Sequence, residues 1–465
     1  MTRDKSPEAA SAVRMHSVTG ETTTLVDSVL EYSRRRILGT ETPLDKPLSE
    51  AELDRLVGTT VNENGIGASR ALALFEHVLA PACVTSDHPQ YLAFIPNAPT
   101  KAATAFDLVV SATAVYSGSW MEGSGAVHAE NEVLVWLANE FGLPAGAGGV
   151  FVQGGTIGNL SALVAARDHA RRTRADAGAE LPARWTIICS AEAHSSIVAA
   201  ASVMDVDVLK VTPDGGGALE GSAVRAALTQ LAGSAFAVVA TAGSTNFGIV
   251  DDIASIAALK DEFDFWLHVD GAYGLAAMLS PVARSRFEGV GRADSLIVDP
   301  HKWLFAPYDA CALIYRDPGI GKRAHTQHAE YLDALNDSDE WNPSDYAIQL
   351  TRRARGLPLW FSLATYGGGA YRDAITSSIE LAHDIALEIE SRQNLRLVRQ
   401  PQLSVVVFER VGWSRDDYAA WSARLLDDQR AFVTPSSHLG MPNTRFAIVN
   451  PTTTREQLVG ILDTM

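Results

Sequence analysis

Gly149-Val150-Phe151-Val152-Gln153-Gly154-Gly155-Thr156-Ile157-Gly158-Asn159 runs from four residues of β character, through a glycine turn, into a helix opening at about Ile157. A strand that hands over directly to a helix is half of a β-α-β unit, and the handover recurs along the centre of the chain. Further β-type runs stand at Trp185–Cys189, Val206–Val211, Phe236–Thr241, Phe265–Asp270, Ser295–Asp299 and Cys311–Tyr315. Helical segments such as Ser222–Leu231 and Ile253–Glu262 separate most of them. The alternation predicts an α/β fold, a mostly parallel seven-stranded sheet with helices on both faces.

Outward from this centre the pattern changes twice. Residues 1 to about 20 are aperiodic and rich in Ser, Ala and Glu, which predicts a frayed tail. From Thr24 to Ala80 apolar residues recur at helical spacing, interrupted by Pro43 and Pro47. After about Gly369 a long helix (Arg372–Arg392) precedes β-type runs at Ser404–Glu409 and Arg445–Val449 and a last helix. The expected division is therefore a tail and helical segment (1–85), a large α/β domain (86–368) and a small α+β domain (369–465). No internal repeat or low-complexity linker interrupts it.

Bulk properties exclude several classes. With 465 residues, 47% hydrophobic and 20% charged, the chain has ample material for a core. A net charge of -17 argues against nucleic-acid binding, which needs a basic face. No run approaches the roughly 20 apolar residues that cross a bilayer, and the start, Met1-Thr2-Arg3-Asp4-Lys5, lacks the apolar stretch of a signal peptide. The three cysteines (Cys83, Cys189, Cys311) offer neither a disulfide framework nor metal spacing. These features predict a cytoplasmic protein without a metal.

The chemically informative residues fall at the carboxyl ends of the β-type runs, where open α/β sheets bind ligands. Asp299-Pro300-His301-Lys302-Trp303 sets a lysine among apolar and aromatic neighbours, which can activate an amine for Schiff-base chemistry. Taken alone, such a lysine is more often a solvated end residue. Asp270, in His268-Val269-Asp270-Gly271-Ala272-Tyr273, is placed to hold a proton on a pyridine nitrogen, or simply to cap the next helix. The Gly154-Gly155-Thr156-Ile157 turn opens a helix whose N–H groups suit a phosphate. Its glycines match neither a dinucleotide fingerprint nor a P-loop, which disfavours a nicotinamide dehydrogenase. His194, in Glu192-Ala193-His194-Ser195-Ser196, can stack on a flat ring. Jointly, a phosphate cup, a stacking ring, a nitrogen partner and a lysine describe a site for pyridoxal 5'-phosphate.

These motifs, with Thr241-Ala242-Gly243-Ser244-Thr245, resemble in order and spacing the group II pyridoxal-phosphate-dependent amino acid decarboxylases, the family of the aromatic amino acid, histidine and glutamate decarboxylases. The similarity runs from about residue 25 to the C-terminus. It implies the aspartate aminotransferase-like fold (type I) and a homodimer, with N-terminal helices on the partner and the active site at the interface. It makes Lys302 the lysine that carries the cofactor, Asp270 the partner of the pyridine nitrogen and His194 the stacking ring, with Ala272 against the other face. Thr245 would lie near the cofactor, and Gly155, Thr156, Ile157 and His301 near its phosphate. The aromatic amino acid decarboxylases carry Asn where this chain has Asp299, which is expected to pair with a cation or to point away.

The resemblance also bears on reaction and substrate. Tyr331 lies 29 residues after Lys302, in a polar stretch (His325–Trp341) that reads as a mobile loop. A tyrosine at this place implies protonation of the carbanion after carbon dioxide leaves, hence an amine product rather than an aldehyde. The segment corresponding to the family's substrate pocket holds Phe94, Ile95, Pro96 and Asn97; its apolar character favours an L-amino acid with an aromatic or large apolar side chain. Lys101 stands close by and keeps an acidic substrate open. Gly118, beside Trp120, stands where the aromatic enzymes carry a phenylalanine and is expected to enlarge the pocket, admitting an indole or a modified ring. Arg445 resembles the arginine that contacts the substrate carboxylate in glutamate decarboxylase, with a structural salt bridge as the other reading. Other rivals are a transaminase or aldehyde synthase on the same scaffold, and a cofactor-free relative that only binds.

Overall fold

The computed structural model describes residues 15–213, 216–330 and 340–465. By compactness the chain forms two units, Met1–Thr85 and Ser86–Met465. The first contains helices α1 (Gly20–Leu38), α2 (Glu50–Val57) and α3 (Ala68–Leu74), the last continuing into a π-helical turn at Phe75–Leu79. Thr19 and Ser49 cap α1 and α2 with reciprocal capping boxes, so these starts are written locally. None of these helices buries a residue; Leu25, Val26, Val29 and Leu30 all stand exposed on α1.

The second unit opens with α4 (Lys101–Ala112) and α5 (Trp120–Glu140) before β1 (Gly148–Val152). There follow α6 (Gly155–Asp176), β2 (Thr186–Ser190), α7 (Ser196–Met204), β3 (Asp207–Val211), α8 (Gly221–Leu231), β4 (Ala235–Thr241), α9 (Ile253–Ala258), β5 (Trp266–Asp270), β6 (Ser295–Val298), β7 (Cys311–Tyr315) and α10 (Pro318–His325). The seven strands form one sheet in the order β1-β7-β6-β5-β4-β2-β3. β7 alone runs against its neighbours β1 and β6. Every strand but β3 is buried at each residue, as expected where helices cover both faces. The other edge, β1, is closed by the chain after residue 340: Gln349 Nε2 donates to the Phe151 carbonyl at 2.9 Å. That bond satisfies a backbone group an open edge would leave bare.

The small C-terminal part departs in detail from expectation. Helix α11 spans Leu357–Glu390, beginning well before Arg372, and bends at Gly367, whose φ of 72° suits glycine. The run Gly367-Gly368-Gly369 reads as a terminator, and Gly367, with non-helical φ/ψ, breaks this span into two helical arms at that place. A four-stranded antiparallel sheet follows, ordered β10 (Pro435–His438), β11 (Met441–Ala447), β9 (Val405–Arg410), β8 (Leu395–Arg399). Its two outer strands escape a sequence reading because one is arginine-rich and the other polar. Helices α12 (Arg415–Asp427) and α13 (Arg455–Leu462) complete this part, around a core that includes Trp421, Phe408 and Phe446.

One buried ion pair ties the start of α11 to α5. Arg352 Nη1 and Nη2 donate to the two Glu130 oxygens at 2.6 and 2.9 Å, and Glu130 also accepts the Gly356 N–H at 2.8 Å. Removing one partner leaves an uncompensated buried charge. Arg352→Leu is expected to lower the unfolding free energy by about 3–5 kcal/mol, read by urea denaturation. The Glu130→Leu/Arg352→Leu double variant should recover much of it; equal losses in single and double variants would place the cost in packing.

Candidate active site

A cavity of about 230 Å³ lies beyond the carboxyl ends of the central strands. Each wall is delivered by a strand end: Gly154, Gly155 and Thr156 after β1, His194 after β2, Gly243, Ser244 and Thr245 after β4, Asp270 at the end of β5 and Ala272 just after it, and His301 and Lys302 after β6. A larger cavity of about 310 Å³ sits near the starts of β4 and β5, lined by Trp185, Phe263 and Lys260 among others, and contains none of these groups. The chemistry belongs to the first.

Glycine makes the close approaches possible. A Cβ on Gly158 would come within 2.8 Å of Cys311 Sγ and 2.9 Å of Ile297 Cγ2, so its absence lets α6 lie directly on the sheet. Gly243 (φ 105°) and Gly274 cross where a Cβ on Gly274 would be 2.3 Å from the Ala242 carbonyl. The 22-residue α6 starts with Gly154 as N-cap and no side-chain cap, so its first-turn N–H groups and dipole are directed by Gly155 and Thr156 at the cavity wall.

Lys302 and Asp299 form the charged end. Lys302 Nζ lies 2.9 Å from Asp299 Oδ2, and His301 Nε2 lies 3.7 Å from the same oxygen. Asp299 therefore pairs with a cation, one of its two expected placements, while its buried Oδ1 has no hydrogen-bond partner. Burial pulls the Lys302 ammonium down. The Asp299 carboxylate, by charge and hydrogen bond, and Asp270 outweigh it, so the pKa stands above the ordinary lysine value. Burial lowers His301, against the pull of Asp299. Beneath, Trp303 stacks on Tyr273 at 5.2 Å, and the Tyr273 hydroxyl meets Ser404 Oγ at 2.7 Å.

Asp270 is surrounded by donors. Its Oδ2 accepts from Asn159 Nδ2 at 3.0 Å and its Oδ1 from the Ala272 N–H at 3.2 Å. An acceptor amid donors, an amine, an uncapped helix start and a facing imidazole suit the pyridine nitrogen, aldehyde, phosphate and ring of pyridoxal phosphate. The orphaned Thr241 Oγ1 in the same wall leaves an acceptor or donor for a ligand.

Residues 55–411 match the family model described as the pyridoxal-dependent decarboxylase conserved domain. The chain belongs to this family. It is a pyridoxal-phosphate-dependent amino acid decarboxylase. It is 28% identical to the aromatic-L-amino-acid decarboxylase of Bacillus atrophaeus, over 90% of this chain and 89% of that protein. It is 29% identical to the L-2,4-diaminobutyrate decarboxylase of Rhizobium meliloti (strain 1021), over 86% and 82%. The fold matches the crystal structure of Oryza sativa TDC with PLP and tryptamine, with a TM-score of 0.86, 23% identity and 99% of each chain covered.

Of the residues singled out in the sequence, this cavity gathers Gly155, Thr156, His194, Thr245, Asp270, Ala272, His301 and Lys302. Ile157 is not in its wall; its side chain packs into the apolar cluster beneath α6. Tyr331 lies outside the described residues. The ends of its expected loop are anchored: His325 closes α10, buried, with Nε2 donating to the Ser161 carbonyl at 2.9 Å, and Trp341 stacks on Tyr346 at 4.2 Å.

Phe94, Ile95, Pro96, Asn97, Gly118, Trp120 and Arg445 stand outside the cavity wall. Ile95, Pro96 and Asn97 are buried, whereas Phe94 is 55% exposed. Arg445 does reach this segment, Nη1 donating to the Phe94 carbonyl at 2.8 Å, and forms no ion pair with another described residue. Burial draws its pKa down to about 10, which leaves it a cation at neutral pH. A Cβ on Gly118 would lie 2.2 Å from the Tyr116 hydroxyl and 2.9 Å from the Leu350 carbonyl, so the glycine lets Tyr116 pack closely here. Sequence reading missed Asn159, Ser196, His268 and Ser295. The signal was the alternation of Trp266, His268 and Asp270 on one face of β5, and Asn159 one helical turn after Gly155.

The Lys302–Asp299 pair has a testable pH consequence. An amine must be unprotonated to attack an aldehyde, and Asp299 favours the ammonium. Asp299→Asn is expected to lower the Lys302 pKa and to speed covalent capture of added pyridoxal phosphate several-fold at pH 6–7, converging with the parent protein at high pH. Stopped-flow absorbance reads this; identical rate–pH profiles would separate Asp299 from the lysine's protonation.

Proposed function

We propose that the chain decarboxylates an L-amino acid with an aromatic or large apolar side chain, releasing the amine and carbon dioxide, with Lys302 carrying the cofactor. The observation that carries this reading is the convergence of Lys302, Asp270 and the uncapped start of α6 on one cavity. Pyridoxal phosphate, when bound, supplies an electron sink for the charge left on Cα as carbon dioxide departs. Lys302 offers the amine that would hold the cofactor covalently. Asp270 would keep a proton on the pyridine nitrogen, His194 and Ala272 would flank the ring, and Gly155, Thr156 and His301 would serve the phosphate. Tyr331 is the proposed donor of the proton to Cα.

Apolar Phe94, Ile95 and Pro96, and the aromatic substrate in the name of the Bacillus relative, support the substrate class. Arg445, a buried cation bound to the Phe94 carbonyl, is proposed to take the substrate carboxylate. The diaminobutyrate relative favours a second reading, an aliphatic or charged substrate. A second copy of the chain is proposed to complete the site. The exposed apolar residues of α1 support a surface made to be covered, and 1–85, 86–368 and 369–465 stand as the proposed functional division.

The test is a panel of L-amino acids (tryptophan, tyrosine, phenylalanine, histidine, valine, glutamate, aspartate and 2,4-diaminobutyrate) with amine and carbon dioxide measured together. Equal amounts from an aromatic or large apolar substrate are expected. Preference for an acid or diamine would overturn the substrate class, and aldehyde with peroxide would overturn the role of Tyr331.

A further inference from the structure

Beneath the cavity floor runs a line of buried polar groups to which the chemistry above gives no task. Trp266 Nε1 lies 2.8 Å from Ser295 Oγ, and Ser295 Oγ lies 2.8 Å from His268 Nδ1. His268 Nε2 lies 2.8 Å from Asn159 Oδ1. The Asn159 amide nitrogen then reaches both Asp270 Oδ2, at 3.0 Å, and Ser196 Oγ, at 2.9 Å. Ser196 meets His194 Nδ1 twice, through its hydroxyl at 2.9 Å and its backbone N–H at 3.2 Å. His268, Asn159, Ser196 and Ser295 are all buried, so each bond left unmade would cost.

The direction of every bond follows from one carboxylate. Asp270 accepts, so the Asn159 NH2 must face it; the flipped amide would set oxygen against oxygen. Asn159 Oδ1 therefore faces His268, which must donate from Nε2, leaving Nδ1 to accept the Ser295 hydroxyl proton. Ser295 in turn accepts from the Trp266 indole, which can only donate. On the other branch Ser196 accepts from Asn159, so its own proton goes to His194 Nδ1. That nitrogen also takes the Ser196 N–H, and the ring carries its proton on Nε2. Burial draws His268 down to about 4 against the pull of Asp270, consistent with a neutral ring.

We infer that Asn159 and His268 are positioning residues, a fixed-polarity relay that holds Asp270 as an acceptor and locks His194 in its Nε2–H tautomer. An amide donates a hydrogen bond but does not pass its proton on. Asn159 thus couples His268 to Asp270 electrostatically while insulating the carboxylate from the imidazole as a proton source. The consequence for the reaction rests on the reading that Asp270 and His194 hold the cofactor ring; the relay itself does not.

Histidine-ring 15N NMR on the cofactor-free protein, assigned with His194→Gln and His268→Gln, tests the relay directly. Both rings are expected to carry a proton on Nε2 while Nδ1 accepts; an Nδ1–H at either position overturns the inference. A second test needs a donor-keeping and a donor-lacking variant. His268→Gln retains an N–H for Asn159, and His268→Leu does not. The Kd for pyridoxal phosphate itself is expected to rise by about tenfold or more in His268→Leu, and to stay within about threefold in His268→Gln. Equal losses in the two, or none in His268→Leu, count against the relay. Asp270→Asn and His194→Ala separate the two readings. If they bind the cofactor like the parent protein, the ring-holding roles fail; if they bind weakly while His268→Leu does not, only the relay fails.

Discussion

Lys302→Ala is expected to remove carbon dioxide release from every L-amino acid tested, a fall of at least about 10⁴-fold. Lys302 is the one lysine in the cavity wall among the described residues, so nothing adjacent can take over its amine. The variant also strands Asp299, which is buried with its partner 2.9 Å away, and part of any loss could then be structural. Lys302→Arg removes that ambiguity. It keeps a cation for Asp299 but presents a guanidinium that stays protonated and forms no Schiff base. Both variants should therefore be inactive, with Lys302→Arg the more stable of the two to heating. Borohydride reduction of each, mixed with pyridoxal phosphate, should leave no label on the peptide containing residue 302. Residual turnover within about 100-fold of the parent protein would remove Lys302 from its role.

The sheet was legible because its strands are short apolar runs closed by glycine, aspartate or proline, and burial on both faces demands that composition. Cys311–Tyr315 is observed with its expected bounds, and the other six strands shift by a residue or so. What the pattern could not give was anything set by partners distant in sequence. β8 carries arginines at 396 and 399 and lies at a sheet edge, where its pairing with β9 rather than its own composition makes it a strand. β10 is polar and exists because β11 folds back on it. At the site, residues with an obvious reactive group announced themselves at strand ends. Asn159 and Ser196 did not, because an amide and a hydroxyl gain their meaning only from the carboxylate and imidazole that the fold brings to them.

Asp270→Asn is the second substitution with a large expected effect: kcat falls by about 10³-fold or more while the chain stays folded. Two separate losses combine. In its proposed role the carboxylate offers a full negative charge to a proton on the pyridine nitrogen, and an amide would offer only a dipole, so the ring would spend most of its time unprotonated and withdraw electrons poorly. The surroundings also oppose an amide. Both oxygens of Asp270 accept from N–H groups, those of Asn159 and Ala272, so the NH2 of an asparagine must face one donor and break that bond. Asp270→Glu keeps the charge but pushes it one methylene too far, and should recover part of kcat without restoring it. The deciding comparison is kcat against cofactor affinity. If saturating pyridoxal phosphate restores Asp270→Asn to within tenfold of the parent kcat, the carboxylate only helps to hold the cofactor. If kcat stays low in a fully loaded variant, its charge acts in the reaction, which is why the fold buries an aspartate at the end of β5 and surrounds it with donors alone.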